Sequence, residues 1–154
     1  MYRLNWLKKE LTGKQKYTIF AIYPPSSCLK NSIKKNNLKI GKIGEEYARN
    51  FLISQQFNII DANYYCRWGE IDIVAKKKDI IIFIEVKTKV GDKTGKPYEA
   101  INFYKLKKLK RTISYYLLKN SLNNHKLSLK IISIILNKDY SLKQLKVYDG
   151  PDRW

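Results

Sequence analysis

Cysteine and histidine are nearly absent from this chain. Two cysteines, Cys28 and Cys66, are too few and too far apart in 154 residues for a disulfide framework. A single histidine, His125, excludes a multi-histidine zinc centre, and there is no Cys-x-x-Cys pair to build a structural zinc site. Long apolar runs are missing too: none approaches the roughly 18 residues that cross a bilayer. The nearest thing to a leader is a basic start followed by residues 17–23, a run that is short and stopped by Pro24-Pro25, so the sequence reads as cytoplasmic. Acids are also scarce, 13 Asp+Glu against 31 Lys+Arg, for a formal net charge of +18.

What remains is a basic chain with 44% hydrophobic residues, enough for one core and one ordinary domain. AT-rich coding accounts for part of the 26 Lys and 20 Ile set against only 5 Arg. The same bias would also raise Glu and Asp, and it has not. The excess of positive charge therefore points to a polyanionic partner, nucleic acid ahead of an anionic membrane.

Residues 1–38 stand apart. They carry eight Lys/Arg and a single acid, Glu10, with no sustained period of 3.6 or 2. They read as a basic, loosely ordered arm with a short helix near residues 6–11. Residues 39–154 read as the folded domain. A helix is expected over 41–56, with Ile43, Tyr47, Ala48, Phe51 and Leu52 on its buried face. Strands follow over 57–62, 70–75 and 80–89, the last apolar on both faces and hence central. A loop over 91–95 leads to a long helix over 98–119, with Ile101, Leu109, Ile113, Tyr116 and Leu117 buried. Two strands, 127–136 and 142–148, complete a mixed α/β sheet flanked by helices.

The chemistry concentrates in Gly69-Glu70-Ile71-Asp72 and Glu85-Val86-Lys87. Residues 85 and 87 share a strand face. If the hairpin turns on Lys77-Lys78, Asp72 lies opposite Phe83 and Glu70 opposite Glu85. Glu70, Asp72, Glu85 and Lys87 then project from one face, with Ile71 and Ile73 on the other. Three carboxylates that close repel one another and raise one another's pKa. A divalent cation relieves that cost, and oxygen-only ligands favour Mg²⁺ or Mn²⁺, held by Asp72, Glu85 and Glu70. Such a site suits metal-assisted phosphodiester hydrolysis, with Lys87 orienting water or neutralising developing charge. Taken alone, a Glu-x-Lys pair on a strand is a common surface ion pair.

These blocks resemble the Asp…Glu-x-Lys core of the restriction-endonuclease-like, PD-(D/E)xK superfamily. More narrowly, the chain resembles the YraN family of small, uncharacterised bacterial proteins. The resemblance is carried by Gly41-Lys42-Ile43-Gly44-Glu45-Glu46-Tyr47-Ala48, by residues 63–75, by Phe83-Ile84-Glu85-Val86-Lys87-Thr88-Lys89 and by Gly95-Lys96-Pro97-Tyr98-Glu99-Ala100-Ile101, with Lys105 following. It implies an αβββαβ core, a site at Asp72, Glu85 and Lys87, and Mg²⁺-dependent endonuclease activity on DNA. The alternative is a non-catalytic nucleic-acid-binding module of the same fold. The first helix of that superfamily often adds an acid, which places Glu45 at the site, although an acid there also suits the helix dipole. Lys89 and Tyr65 stand where the family usually has Arg. Many nucleases of this fold pair their sites, so a homodimer is in keeping.

The remaining candidates are nucleic-acid contacts. Arg67 with Trp68 suits a phosphate and a stacked base, though a Trp is as readily a core residue. Lys105, Lys108 and Arg111 suit a phosphate track, against the plainer role of a solvated helix face.

Overall fold

A computed structural model of the chain describes residues 15–19, 36–91 and 103–150. Its elements run β1 (Gln15–Ile19), α1 (Asn36–Ser54), β2 (Asn58–Cys66), β3 (Gly69–Lys77), β4 (Ile80–Val90), α2 (Phe103–Lys119), β5 (Lys126–Leu136) and β6 (Leu142–Asp149). They build one six-stranded mixed sheet in the order β1-β6-β5-β4-β3-β2. Only β4 and β5 are parallel, from Ile80↔Lys126 to Val90↔Leu136, joined by the segment that contains α2. From α1 to β5 the order is the expected α-β-β-β-α-β.

Gln15–Ile19 pairs antiparallel with β6, inside the stretch expected to be a loosely ordered arm. Tyr17, Thr18 and Ile19 are residue types that favour a strand. The expected helix near residues 6–11, the loop over 92–95 and Ile101 lie outside the described residues.

Each helix covers one face of the sheet. On one side Ile43, Tyr47, Ala48, Phe51 and Leu52 of α1 pack on Ile73, Ala75, Ile82, Ile84 and Val86. On the other, Leu109, Ile113, Tyr116 and Leu117 of α2 pack on Ile71, Val74, Ile81 and Phe83. The 3.6-residue periodicity therefore places both helical stripes correctly. Both helices end in a Schellman motif. Phe57 N–H donates to the Leu52 carbonyl at 3.0 Å and Leu122 N–H to the Leu117 carbonyl at 3.0 Å. Gln56 (φ 62°) and Ser121 (φ 54°) occupy the left-handed positions. Phe57 and Leu122 then tuck against the two cores.

Two expectations about the β3–β4 hairpin need correction. The tip is Lys78-Asp79, because Lys77 pairs with Ile80. Asp72 therefore falls level with Glu85, one rung beyond Ile73↔Ile84, and not with Phe83. Nor do Ile71 and Ile73 share a face: Ile71 and Val74 join the α2 core, whereas Ile73 joins the α1 core. The alternation breaks at Asp72. Directly across, between the pairs Ala62↔Ile73 and Tyr64↔Ile71, Asn63 takes φ 56°. Asn tolerates that left-handed conformation, and one such residue reverses the phase of a strand.

Gly44 is where α1 crosses closest to β4. A Cβ there would lie 1.8 Å from Thr88 Oγ1 and 2.8 Å from Thr88 Cβ, whereas one at Gly41 would meet nothing within 4 Å. Gly44→Ala is expected to lower stability by about 1–3 kcal/mol through overpacking. Gly41→Ala, in the same helix, is expected to raise it by about 0.5–1 kcal/mol. Urea midpoints of the two variants, at unchanged slope, check the opposite signs.

Candidate active site

The site forms where the β3–β4 ladder opens. The last regular pair is Ile73↔Ile84. Beyond it, Val86 N–H donates to Asp72 Oδ2 at 2.6 Å, so a side-chain carboxylate takes the place of a strand carbonyl. Glu85, on the next residue, turns toward α2 and is only 2% exposed. Its Oε1 accepts from two ammoniums, Lys87 Nζ on the same strand and Lys105 Nζ on α2. Lys87 Nζ also reaches the Val86 carbonyl at 3.4 Å.

Two cavities flank this point. One, of about 300 Å³ on the α1 side, is lined by Gly41, Glu45, Glu70, Asp72, Lys87 and Thr88 among others. The second, of about 160 Å³ on the α2 side, is lined by Glu70, Glu85, Lys105, Lys108 and Thr112 among others. Glu70 is exposed and borders both, which matches the break in alternation beside it.

The electrostatics follow. Burial, then repulsion from Glu85, pushes the Asp72 carboxyl up to about 7, against the pull of the Val86 N–H and Lys87; Glu45 adds to the rise. Burial works against the Lys105 ammonium, but its bonds to Glu85 and Lys87 and the charges of Glu85 and Asp72 together outweigh burial and raise its pKa.

Asp72 and Glu45 border the α1-side cavity and Glu85 the α2-side one, with Lys87 bonded to Glu85. The expected projection of Glu70, Asp72, Glu85 and Lys87 from a single face is therefore corrected, because the alternation breaks at Asp72. Glu70 is nearby without completing a carboxylate cluster. Among the described residues no group of three or more His, Cys, Asp or Glu is arranged to hold a metal ion. The donor set still fits Mg²⁺, which is commonly held by one or two carboxylates plus substrate phosphates. Asp72, a half-buried acid beside a second carboxylate, has the chemistry that a cation would relieve.

Lys105, expected as a nucleic-acid contact, reaches into the site itself. Lys108 lines the α2-side cavity, and Arg111 is exposed further along the helix. Lys89 lies near the end of β4, opposite Ile135. Arg67 lies over the Trp68 ring at 4.7 Å, with Arg111 at 5.9 Å. Trp68 belongs to neither core and is 39% exposed. Sequence inspection missed Asn63, whose left-handed backbone sits opposite Asp72, and Thr88, whose buried Oγ1 has no hydrogen-bond partner. Only the tolerance of Asn for that conformation could have signalled the first.

An α-β-β-β-α-β domain with one acid at a sheet break and Glu-x-Lys on the adjoining strand is the class these features define. Residues 44–135 match the uncharacterised protein family UPF0102, and the chain belongs to that family. A UPF0102 protein of Clostridium tetani is 44% identical over 113 residues, 71% of this chain and 93% of that protein. One from Clostridioides difficile is 44% identical over 101 residues, 66% of this chain and 89% of its own. A third, from Dictyoglomus turgidum, is 40% identical over 102 residues, covering 66% and 86%. Among the described residues no helix is long and apolar enough to cross a membrane.

A raised Asp72 pKa fixes a sign for stability against pH. The folded state keeps this proton up to about pH 7, whereas the unfolded chain releases it near the ordinary value of 3.8. Stability from this group therefore falls as pH rises from about 4 to 7, and the full penalty applies above 7. Asp72→Asn removes it. The variant should melt above the wild type at pH 8, by on the order of 2 kcal/mol, with the gap closing toward pH 4. Paired thermal melts across that range check it.

Proposed function

We propose that this protein is a metal-dependent nuclease that hydrolyses phosphodiester bonds in nucleic acid, DNA in the first place. The observation that carries the reading is the convergence of Asp72 and Glu85-Val86-Lys87 at the break in the β3–β4 ladder. A chain with only 13 acids and a net charge of +18 places Glu85, buried, and Asp72, half-buried, beside lysines. Structural ion pairs rarely need that arrangement, and its desolvation is costly without a functional return.

Bound Mg²⁺ or Mn²⁺ would supply Lewis-acid polarisation of the phosphoryl oxygen and a more acidic water. Asp72 and Glu85 would hold it. The residues of this chain do the rest. Lys87 and Lys105 present ammonium hydrogens to the oxygens that gain charge as water adds to phosphorus and the P–O bond to the leaving strand breaks. Glu45, which lines the same cavity as Asp72, would orient the attacking water. The basic face of α2 attracts the polyanion.

A second reading is a nucleic-acid-binding module of the same fold. It is favoured by one observation: Glu85 is already neutralised by two lysines. The two are separated by assays with Mg²⁺ or Mn²⁺ on linear, single-stranded and branched DNA and on RNA. The nuclease predicts cleavage that falls at least about 100-fold in Asp72→Ala and in Lys87→Ala, the scale of lost electrostatic and acid–base catalysis. Unchanged cleavage in both variants sinks the assignment. A readout independent of turnover is thermal stabilisation of the wild type by Mg²⁺ at pH 8, absent in Asp72→Asn.

A further inference from the structure

The β2–β3 tip carries a feature the nuclease reading does not use. Cys66 pairs with Gly69, so Arg67 and Trp68 are the two residues of a tight turn. A large aromatic at a hairpin tip contributes little to folding, and Trp68 belongs to neither core. Yet it is held firmly. Gly69 adopts φ 144°, a conformation open to glycine, and a Cβ there would meet Thr112 Oγ1 of α2 at 3.1 Å. The tip is therefore braced against α2. Guanidinium groups from two different elements lie by the indole, Arg67 at 4.7 Å from the turn and Arg111 at 5.9 Å from α2.

The same helix connects this aromatic to the candidate site. Lys105 touches Glu85, Lys108 lines the same cavity, and Arg111 reaches Trp68. Spaced three residues apart, they lie along one side of α2. Six residues at 1.5 Å each span about 9 Å. That corresponds to two or three nucleotides of a stacked strand at about 3.4 Å each. A phosphate backbone following these cations away from Glu85 thus arrives at an indole flanked by positive charge.

We propose that Trp68, with Arg67 and Arg111, is a stacking platform for an unpaired base, so that the strand lying along α2 is single-stranded at that point. This deepens the nucleic-acid reading above and rests on it for the direction of the strand. Bases within a duplex offer only their edges in the grooves, and their π-faces are already stacked. An indole takes a base by its face, without regard to sequence, and neighbouring guanidinium groups add cation–π and phosphate contacts. The substrate class is therefore a single strand, a flap or a branched end, not continuous duplex.

The test uses the full chain without divalent metal, by fluorescence anisotropy on a labelled single strand of DNA, the matching duplex and the matching RNA strand. Trp68→Ala should weaken single-strand binding about tenfold and duplex binding less than about twofold, since one stacked base contributes about 1–3 kcal/mol. Trp68→Phe should recover most of the loss, and matching melting curves would show that both variants fold. A 2-aminopurine placed two or three nucleotides from the strand position cut by the enzyme should be quenched by the wild type and not by Trp68→Ala. Equal losses on strand and duplex, no loss at all, or no binding of any nucleic acid would overturn the proposal. Trp68-dependent binding with no cleavage in Mg²⁺ or Mn²⁺ keeps the platform and rejects the nuclease. Duplex cleavage untouched by Trp68→Ala does the reverse.

Discussion

The hydrogen bond from Val86 N–H to Asp72 is the constraint on which the rest of the site depends. Continuing the β3–β4 ladder by one rung would set Asp72 against Glu85 as a paired couple of acids, which a sheet disfavours. The strands separate there instead. Val86 N–H would then be an unpaired buried donor, which costs about 1–3 kcal/mol, and the Asp72 carboxylate satisfies it. That bond fixes the carboxylate at the opening and leaves Glu85 facing α2. Lys87 follows on the same side by strand periodicity, and Lys105 reaches across from α2 to complete the neutralisation. Once the ladder opens at Asp72, the other positions follow from two-residue and 3.6-residue periods.

The opening also divides charge by side. α1 mixes Glu45 and Glu46 with Lys39, Lys42 and Arg49, whereas α2 carries no acid and is rich in Lys and Arg. The Asp72 cavity has Glu45, Glu70 and Lys87 in its walls, and the Glu85 cavity adds Lys105 and Lys108. Glu85 is buried between the two. A phosphodiester approaching over α2 meets cations first, with the carboxylates behind them. That ordering suits capture of a polyanion without repelling it from acids, which matter only once the phosphate has docked.

Much of this was legible in the residues themselves. The buried faces of both helices follow from apolar spacing, because packing against a sheet tolerates few exceptions. Glu85 and Lys87 share a face because a strand's period is two. The hairpin register was off by two residues, since a Lys76-Lys77-Lys78-Asp79 run does not reveal which pair forms the turn. Glu85 and Lys87 share a face at any register, but Asp72 does not join them on it. The break at Asp72 was not legible: it depends on Asn63 adopting a left-handed backbone across the ladder, a tertiary choice with no local pattern. Lys105 read as a phosphate contact that also fits the family pattern, and its bond to Glu85 is what brings it into the site. β1 was hidden for a similar reason. Five residues beside β6 gain order from the partner strand and are too short a run to announce it.

α2 is not held in the same way at its two ends. Toward its C-terminus, Tyr116 sits edge-on to Tyr64 at 4.8 Å and to Phe83 at 5.9 Å. Burial and the neighbouring Asp61 push its phenol up to about 12, so it stays neutral. That end is fixed by apolar packing, which salt and pH scarcely touch. Near its N-terminus Leu106 packs on the same core, and Lys105 adds an ion pair with Glu85 at the mouth of the site. The helix is thereby anchored by packing along its length, and at its start also by the carboxylate the site uses. Whatever occupies Glu85, whether lysine, metal or the field of a docked phosphate, also acts on the start of α2 and on the basic face it presents.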